Sequence, residues 1–335
     1  MTAWELTTVA DDEAVAFAGT EIRHWIGLEP DTEYHEDGLT FRTLPRPPGE
    51  RLATVATVND LHFGETQCGL LEGADLGPVL SVAPGEAPYP ETMNRAAVAE
   101  IASLDPDAVV AKGDLTTHAT QAEYESFQAC YGQFGDRLVT VRGNHDSRVG
   151  AEFAADPVQE RVLPGLVLAV LDTAVPGRSS GRLTADQLDW LDELGQRSDR
   201  PVLAVGHHHP WNPGSANREP GYFGIDPDSS ECLVDVVARR PAIVGYAAGH
   251  THRNRVRRFA ATGRLPWVEV SAVKDFPGAW AEYRVFEGGI LQVLRRISAP
   301  DALAWTERTR AMFAGLYPSY SFGALDDRCF PIWPR

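Results

Sequence analysis

Arg51-Leu-Ala-Thr-Val-Ala-Thr-Val58 reads as a strand, and the chain leaves it through Asn59-Asp-Leu-His62. A β-rich run that ends on a carboxylate and an imidazole sets a pattern that later strands repeat. Residues 92–103 have helical spacing, 108–112 form a short apolar strand, 121–134 are amphipathic and 138–142 read as a strand. Then come strand 166–171, helix 184–194 with Thr184 as N-cap, strand 202–206, helix 229–239 and strand 242–248. Alternating units with apolar strands imply right-handed crossovers and helices on both faces of a sheet. Beyond these the pattern turns to β, with segments 256–259, 267–270, 283–286 and 291–296 expected to make a second sheet. The expected fold class is α/β: a four-layer α/β/β/α sandwich of two mixed sheets.

The flanks differ. Segments 4–9, 13–18 and 22–27 read as short strands, and a further hairpin turns at Asp37-Gly38. Leu28-Glu-Pro-Asp-Thr-Glu-Tyr34, followed by Phe41-Arg-Thr43, resembles the corner late in fibronectin type III domains. Such sandwiches run to about 100 residues, so a truncated β segment is expected here. Leu44-Pro-Arg-Pro-Pro-Gly49 makes a stiff linker. The expected organisation is a β-rich module over 1–48, a catalytic domain over 49–298, and a C-terminal helix (301–316) with an irregular tail over 299–335.

The chain has 335 residues, 43% of them hydrophobic, which is ample for a sizeable core. Lys plus Arg number 30 against 47 Asp plus Glu, a net charge of −17. So acidic a surface repels phosphate backbones and anionic lipids, and no general nucleic-acid binding is expected. Bound cations would be needed to attract an anionic substrate. Apolar runs such as 166–171 fall far short of the roughly 20 residues of a membrane helix. The first dozen residues lack the basic and apolar regions of a signal peptide. Cys68, Cys130, Cys232 and Cys329 are scattered without a CxxC pair. Reduced thiols, a cytoplasmic location and no membrane contact are the corresponding expectations.

Functional side chains in α/β sheets gather where loops leave the carboxyl ends of strands. Five such loops carry Asp60-Leu-His62, Gly113-Asp114, Gly143-Asn-His-Asp146, Gly206-His-His-His-Pro210 and Gly249-His-Thr-His252. Each has a bland explanation as a cap, a turn or a polar surface. All five in order at strand ends do not. Carboxylates, an Asn carbonyl and imidazoles together suit Mn, Fe or Zn. Asp114 is the carboxylate available after the second strand, and a bridging carboxylate can hold two ions about 3.5–4 Å apart.

The series DxH, GD, GNHD, H and GHxH resembles the calcineurin-like metallophosphoesterase superfamily, over residues 51–297. The similarity is greatest to the bacterial branch with class III cyclic nucleotide phosphodiesterases and glycerophosphodiesterases. Gly113-Asp-Leu-Thr-Thr-His-Ala119 and Gly181-Arg-Leu-Thr-Ala-Asp-Gln-Leu-Asp-Trp190 support that branch. The resemblance implies two divalent or trivalent ions. One would be held by Asp60, His62, Asp114 and His252, the other by Asp114, Asn144, His208 and His250. His208 follows the family's His-x-Pro spacing to Pro210, with His207 as the alternative. His145 would stay off the metals and act on the phosphoryl group or leaving oxygen, with Asp146 orienting it or its backbone. The implied activity is hydrolysis of a small phosphate ester by metal-activated water, a phosphodiester in first place. The alternatives are a phosphomonoesterase of the same fold or a non-catalytic protein-binding scaffold. Thr117 stands where purple acid phosphatases have a tyrosine, so iron–tyrosinate chemistry is not expected. Arg142 and Arg148 are read as solvated, and Arg253, Arg255, Arg257 and Arg258 as strand-face charges or an anion patch.

Overall fold

A computed structural model describes residues 3–335 except 71–72, 74–75, 149–151, 214, 216–217 and 219–221. Strands β1 (Glu5–Val9), β2 (Glu13–Ala18) and β3 (Glu21–Ile26) form an antiparallel sheet, and β4 (Glu33–Glu36) pairs with β5 (Leu39–Arg42). The corner before β4 closes when Tyr34 Oη accepts the Glu29 amide at 2.8 Å.

The central run is β6 (Arg51–Val58), α1 (Tyr89–Ser103), β7 (Ala108–Lys112), α2 (Gln121–Tyr131) and β8 (Leu138–Val141). Next come β9 (Val158–Leu163), β10 (Leu166–Leu171), α3 (Ala185–Arg197), β11 (Val202–Val205), α4 (Pro227–Arg239) and β12 (Ile243–Ala248). The last third holds β13 (Arg255–Arg257), β14 (Trp267–Glu269), β15 (Ala279–Phe286), β16 (Gly289–Arg296), α5 (Pro300–Thr309), α6 (Tyr317–Ser321), α7 (Leu325–Arg328) and β17 (Phe330–Ile332). Helix starts reflect local chemistry. Thr120 with Glu123, and Thr184 with Gln187, form reciprocal capping boxes at α2 and α3. Asp226 caps α4, with Pro227 as its first residue.

One sheet runs β17-β16-β15-β6-β7-β8 and the other β13-β14-β12-β11-β10-β9. The first is parallel from β6 to β8 and antiparallel from β17 to β6, and the second is parallel from β14 to β10 with an antiparallel strand at each edge. Val55, Val110 and Val141 of the first meet Leu168, Val170, Leu203 and Val205 of the second in one core between the sheets. On the outer faces, α1, α2 and α5 cover the first sheet and α3 and α4 the second. The layers are therefore helix, sheet, sheet, helix.

Three expectations need correction. The late β run does not make a sheet of its own. β13 and β14 complete the sheet containing β12, whereas β15 pairs antiparallel with β6. β9 was not expected because its Val158-Gln-Glu-Arg-Val-Leu163 sequence is polar, as an edge strand tolerates. The tail is not irregular: α5 ends at Thr309, two short helices succeed it, and β17 adds to β16.

Candidate metal centre

The five motif loops leave the carboxyl ends of β6, β7, β8, β11 and β12. Asp60 (φ 55°), His62 (49°), Asp114 (50°), His250 (69°) and His252 (52°) all adopt left-handed backbone. Such conformations cost a non-glycine residue about 1–3 kcal/mol each and persist only where the surroundings over-determine them. Here the backbone is held on both sides: the His62 and Leu61 amides donate to Asp114 O at 2.9 Å, and the Asp60 amide donates to Gly113 O at 3.0 Å. The His250 amide donates to the Asp60 carboxylate at 3.0 Å. Two motif glycines are required by close approach. A Cβ on Gly113 would lie 2.5 Å from His207 Nδ1, and one on Gly143 would lie 2.2 Å from Asp114 Oδ1.

Asp114 is central. Its Oδ2 lies 3.4 Å from His207 Nε2 and 3.6 Å from His62 Nε2, while Oδ1 accepts the His145 amide at 2.8 Å. Donor atoms of Asp60, His62 and His252 converge within 4.8 Å of one another, as do those of Asp60, Asp114 and His207, and those of His207, His208 and His250. Asn144 Oδ1 is 3.3 Å from His207 Nε2. The structure thus brings Asp60, His62, Asp114, Asn144, His250 and His252 together, with both His207 and His208 beside them.

The two adjacent histidines differ in orientation. His207 Nδ1 bonds the Lys112 carbonyl at 2.8 Å, which leaves Nε2 facing Asp114 Oδ2 and Asn144 Oδ1. His208 Nδ1 bonds Thr173 Oγ1 at 2.8 Å, and its Nε2 has no hydrogen-bond partner. His209 turns to Tyr222 Oη at 2.9 Å.

His145 is set by its backbone neighbour. Nδ1 bonds the Thr117 carbonyl at 3.0 Å, so Nε2 is the nitrogen left over, 3.3 Å from Arg148 Nη2. Its ring meets that of His62 edge-on at 4.6 Å. Asp146 does not touch the imidazole. It accepts the amides of Gly143 (2.8 Å), Thr116 (2.8 Å) and Leu115 (3.1 Å), tying the two loops together. Burial and nearby Asp114 push its carboxyl up to about 6.

The arginines also sort out. Arg142 is not solvated: it makes a paired contact with Asp172, Nε at 2.9 Å and Nη2 at 2.5 Å. Arg253 and Arg257 both pair with buried Glu269, which removes them from an anion patch. Arg148 is exposed and faces His145.

Burial drives His62, His208 and His250 well below the ordinary imidazole value, so they are neutral and ready to coordinate. Burial opposes charge on His207 and His252 too, but carboxylates outweigh it. Asp114 and Asp60 hold His207 at about 9, and Asp60 and Asp275 hold His252 at about 10. Both ring nitrogens of His62, and Nε2 of His208 and His250, are buried without a hydrogen-bond partner. Buried nitrogens without a partner are costly unless a cation completes them. Mixed oxygen and nitrogen donors without a thiolate fit borderline divalent or trivalent ions. The four sulfurs are free, and Cys68 is the one that lies behind this site.

Two features were not anticipated from sequence. Asp275 reaches His252 Nδ1 at 3.1 Å from the loop after β14. That loop also leaves a strand's carboxyl end, so the same rule applied to β14 finds it. Phe223, half exposed, stacks on His250 at 4.0 Å. It belongs to the 211–226 segment, of which 214, 216–217 and 219–221 lie outside the described residues.

Residues 53–254 match the family model described as calcineurin-like phosphoesterase. A Synechococcus protein named as a probable cyclic nucleotide phosphodiesterase is 28% identical over 241 residues, 70% of this chain and 87% of that protein. A glycerophosphodiester phosphodiesterase from Enterobacter lignolyticus is 28% identical over 176 residues, 48% of this chain and 62% of that one. Among solved structures, a dimetal phosphatase from Danio rerio superposes with a TM-score of 0.58 at 14% identity, covering 74% of this chain and 98% of that one. That likeness concerns the fold. No helix among the described residues is long and apolar enough to cross a membrane.

Proposed function

The chain belongs to the calcineurin-like phosphoesterase family and is a metal-dependent phosphoester hydrolase, and we propose that it cleaves a small phosphodiester such as a cyclic nucleotide or a glycerophosphodiester at two ions bridged by Asp114. Its relatives' names include both substrate classes. Asp60, His62, Asp114 and His252 would hold one ion. Asp114, Asn144, His207 and His250 would hold the other. His207 replaces His208 in this set because its Nε2 faces Asp114 and Asn144, at 3.4 Å and 3.3 Å. Mn, Fe and Zn all suit the donors.

When bound, the ions supply Lewis acidity to the phosphate oxygens and lower the pKa of water towards neutrality. The chain's residues do the rest. Thr117 O accepts Nδ1–H and fixes the His145 ring, so that the imidazolium would meet the departing oxygen with Nε2–H, give it that proton and be left as neutral imidazole. Arg148, beside that nitrogen, offers positive charge to a phosphoryl oxygen in a protein of net charge −17. Asp146 keeps the Asp114 and Asn144 loops in register through their backbone.

The observation that carries this is the sharing of Asp114 between His62 on one side and His207 on the other. The test is a hydrolysis panel of cyclic nucleotides, glycerophosphodiesters and monoesters with Mn supplied. Diesters should turn over faster than monoesters. Faster monoester hydrolysis would contradict the diesterase assignment, and no turnover of any ester would favour a non-catalytic scaffold.

A further inference from the structure

The family match ends at residue 254, yet the hydrogen bonds of the His250–His252 loop continue into the last quarter of the chain. His252 Nδ1 pairs with Asp275 Oδ2 at 3.1 Å, and Nε2 lies 3.5 Å from Asp60 Oδ1. With Nδ1–H given to Asp275, Nε2 is the nitrogen left to meet an ion. Asp275 is itself fixed and fully buried. Tyr317 Oη donates to its Oδ1 at 2.6 Å, and Lys274 Nζ stands 3.4 Å from Oδ2. Lys274 is in turn tied to Glu65 at 2.6 Å, and Tyr89 donates to the same Glu65 oxygen at 2.6 Å.

Helix α6 carries more than this one contact. Tyr320 Oη donates to Thr251 O at 2.8 Å, the Asn254 amide donates to Ser321 O at 2.9 Å, and Asn254 Nδ2 donates to Ser321 O at 3.2 Å. Asn254 Oδ1 then accepts the Ser271 amide at 3.1 Å, joining the loop to the strand end that leads to Asp275. A five-residue helix near the end of the chain is therefore bonded directly to the loop that presents two of the ligands.

We propose that Asp275, braced by Tyr317 of α6 and by Lys274, is a positioning residue that sets the tautomer and ring orientation of His252 and so sets the affinity for the ion held by Asp60, His62 and His252. This rests on the two-ion reading of the site. The C-terminal segment becomes part of the metal centre through this contact. A carboxylate behind a ligating histidine fixes the ring and raises its basicity, and removing such a partner costs about 10–100-fold in metal affinity.

The experiment is titration of the metal-stripped full chain with Mn²⁺, by calorimetry and by electron paramagnetic resonance, for wild type, Asp275→Ala, Asp275→Asn and Tyr317→Phe. Wild type should take up two ions. Asp275→Ala should bind one of the two about 10–100-fold more weakly while the other keeps its affinity, and the spin-coupled signal of the pair should fade at limiting Mn²⁺. Asp275→Asn, whose amide oxygen can still accept Nδ1–H, should recover part of the loss. Tyr317→Phe should weaken the same ion by a smaller factor, and it carries the test if the alanine variant fails to fold. Two ions in wild type with unchanged affinities in Asp275→Ala, or equal loss at both ions in either variant, overturn this inference alone. A wild type that takes up no ion pair overturns the functional proposal, and this inference with it.

Discussion

Two buried clusters of ionisable side chains stand in contrast: one where the N-terminal strands meet β15 and β16, the other at the strand ends around Asp114. In the first, Arg284 contacts Asp11 and Asp12 at 2.7 Å, Glu13 at 2.5 Å and Glu282 at 3.1 Å. Arg295 adds Glu13 and Glu282, both at 2.6 Å, and Arg51 meets Glu282 at 2.6 Å. Each acid faces a guanidinium. In the second, five residues sit in left-handed backbone, several imidazole nitrogens have no hydrogen-bond partner, and Asp60 and Asp114 face the imidazoles of His62, His207 and His252 rather than guanidinium groups. Burial is similar; completion is not. A cluster completed from within holds a structure together, and one that lacks a cation is built to receive it. The first cluster fastens residues 11–13 to a hairpin some 270 positions away. The second spends backbone strain to aim donors.

That contrast can be broken most strongly from the functional side. His145→Ala should leave metal content as in wild type and lower turnover of substrates with poor leaving groups by about 10²–10⁴-fold, the usual worth of a general acid. The loss should be smaller for a nitrophenyl ester, whose leaving group departs without a proton. Equal losses for good and poor leaving groups in steady-state kinetics would remove the acid role.

From the structural side, Arg284→Met removes the guanidinium shared by Asp11, Asp12, Glu13 and Glu282, leaving Arg295 to pair with Glu13 and Glu282. Removing one member of a buried ion cluster costs about 3–5 kcal/mol. The urea midpoint should fall accordingly while two ions still bind. An unchanged midpoint would mean that the N-terminal strands are not fastened by these charges.

A smaller effect should appear with pH. Burial would raise the Glu13 carboxyl, but Arg295 and Arg284 outweigh it and hold it at about 2, against an ordinary 4.5. The folded state therefore binds this proton less readily than the unfolded chain. Its contribution is present in full above about pH 4.5 and is lost as pH falls towards 2. Thermal melts of wild type and Glu13→Gln should converge across that window. A constant gap between them down to pH 2 would show that Glu13 is not the titrating group.

Much of the second cluster was legible because its chemistry is local. A strand end, a glycine and one or two ligand side chains recur within a few residues, as in Gly113-Asp114 and Gly249-His-Thr-His252. The alternation that builds the layers was equally plain, since β10 and β11 are buried throughout and read as unbroken apolar runs. What could not be read depends on partners distant in sequence. His207 and His208 are neighbours of one type after one strand, and what distinguishes them is where the Lys112 carbonyl and the Thr173 hydroxyl stand. Asp275 reaches His252 from the loop after β14 and is itself held by Tyr317 of α6. β17 is three residues long and owes its form to β16. The ion cluster at the N-terminal junction joins charges that look like ordinary surface residues in sequence.

The central claim is that Asp114 bridges two ions, and metal stoichiometry tests it most directly. Wild type and Asp114→Asn would be stripped, reloaded with Mn²⁺, freed of excess and assayed for bound metal by mass spectrometry. Wild type should retain two ions per chain and the variant should lose both or hold them far more weakly, because a neutral amide bridges two cations poorly. Two ions retained by Asp114→Asn with normal turnover would contradict the dinuclear assignment.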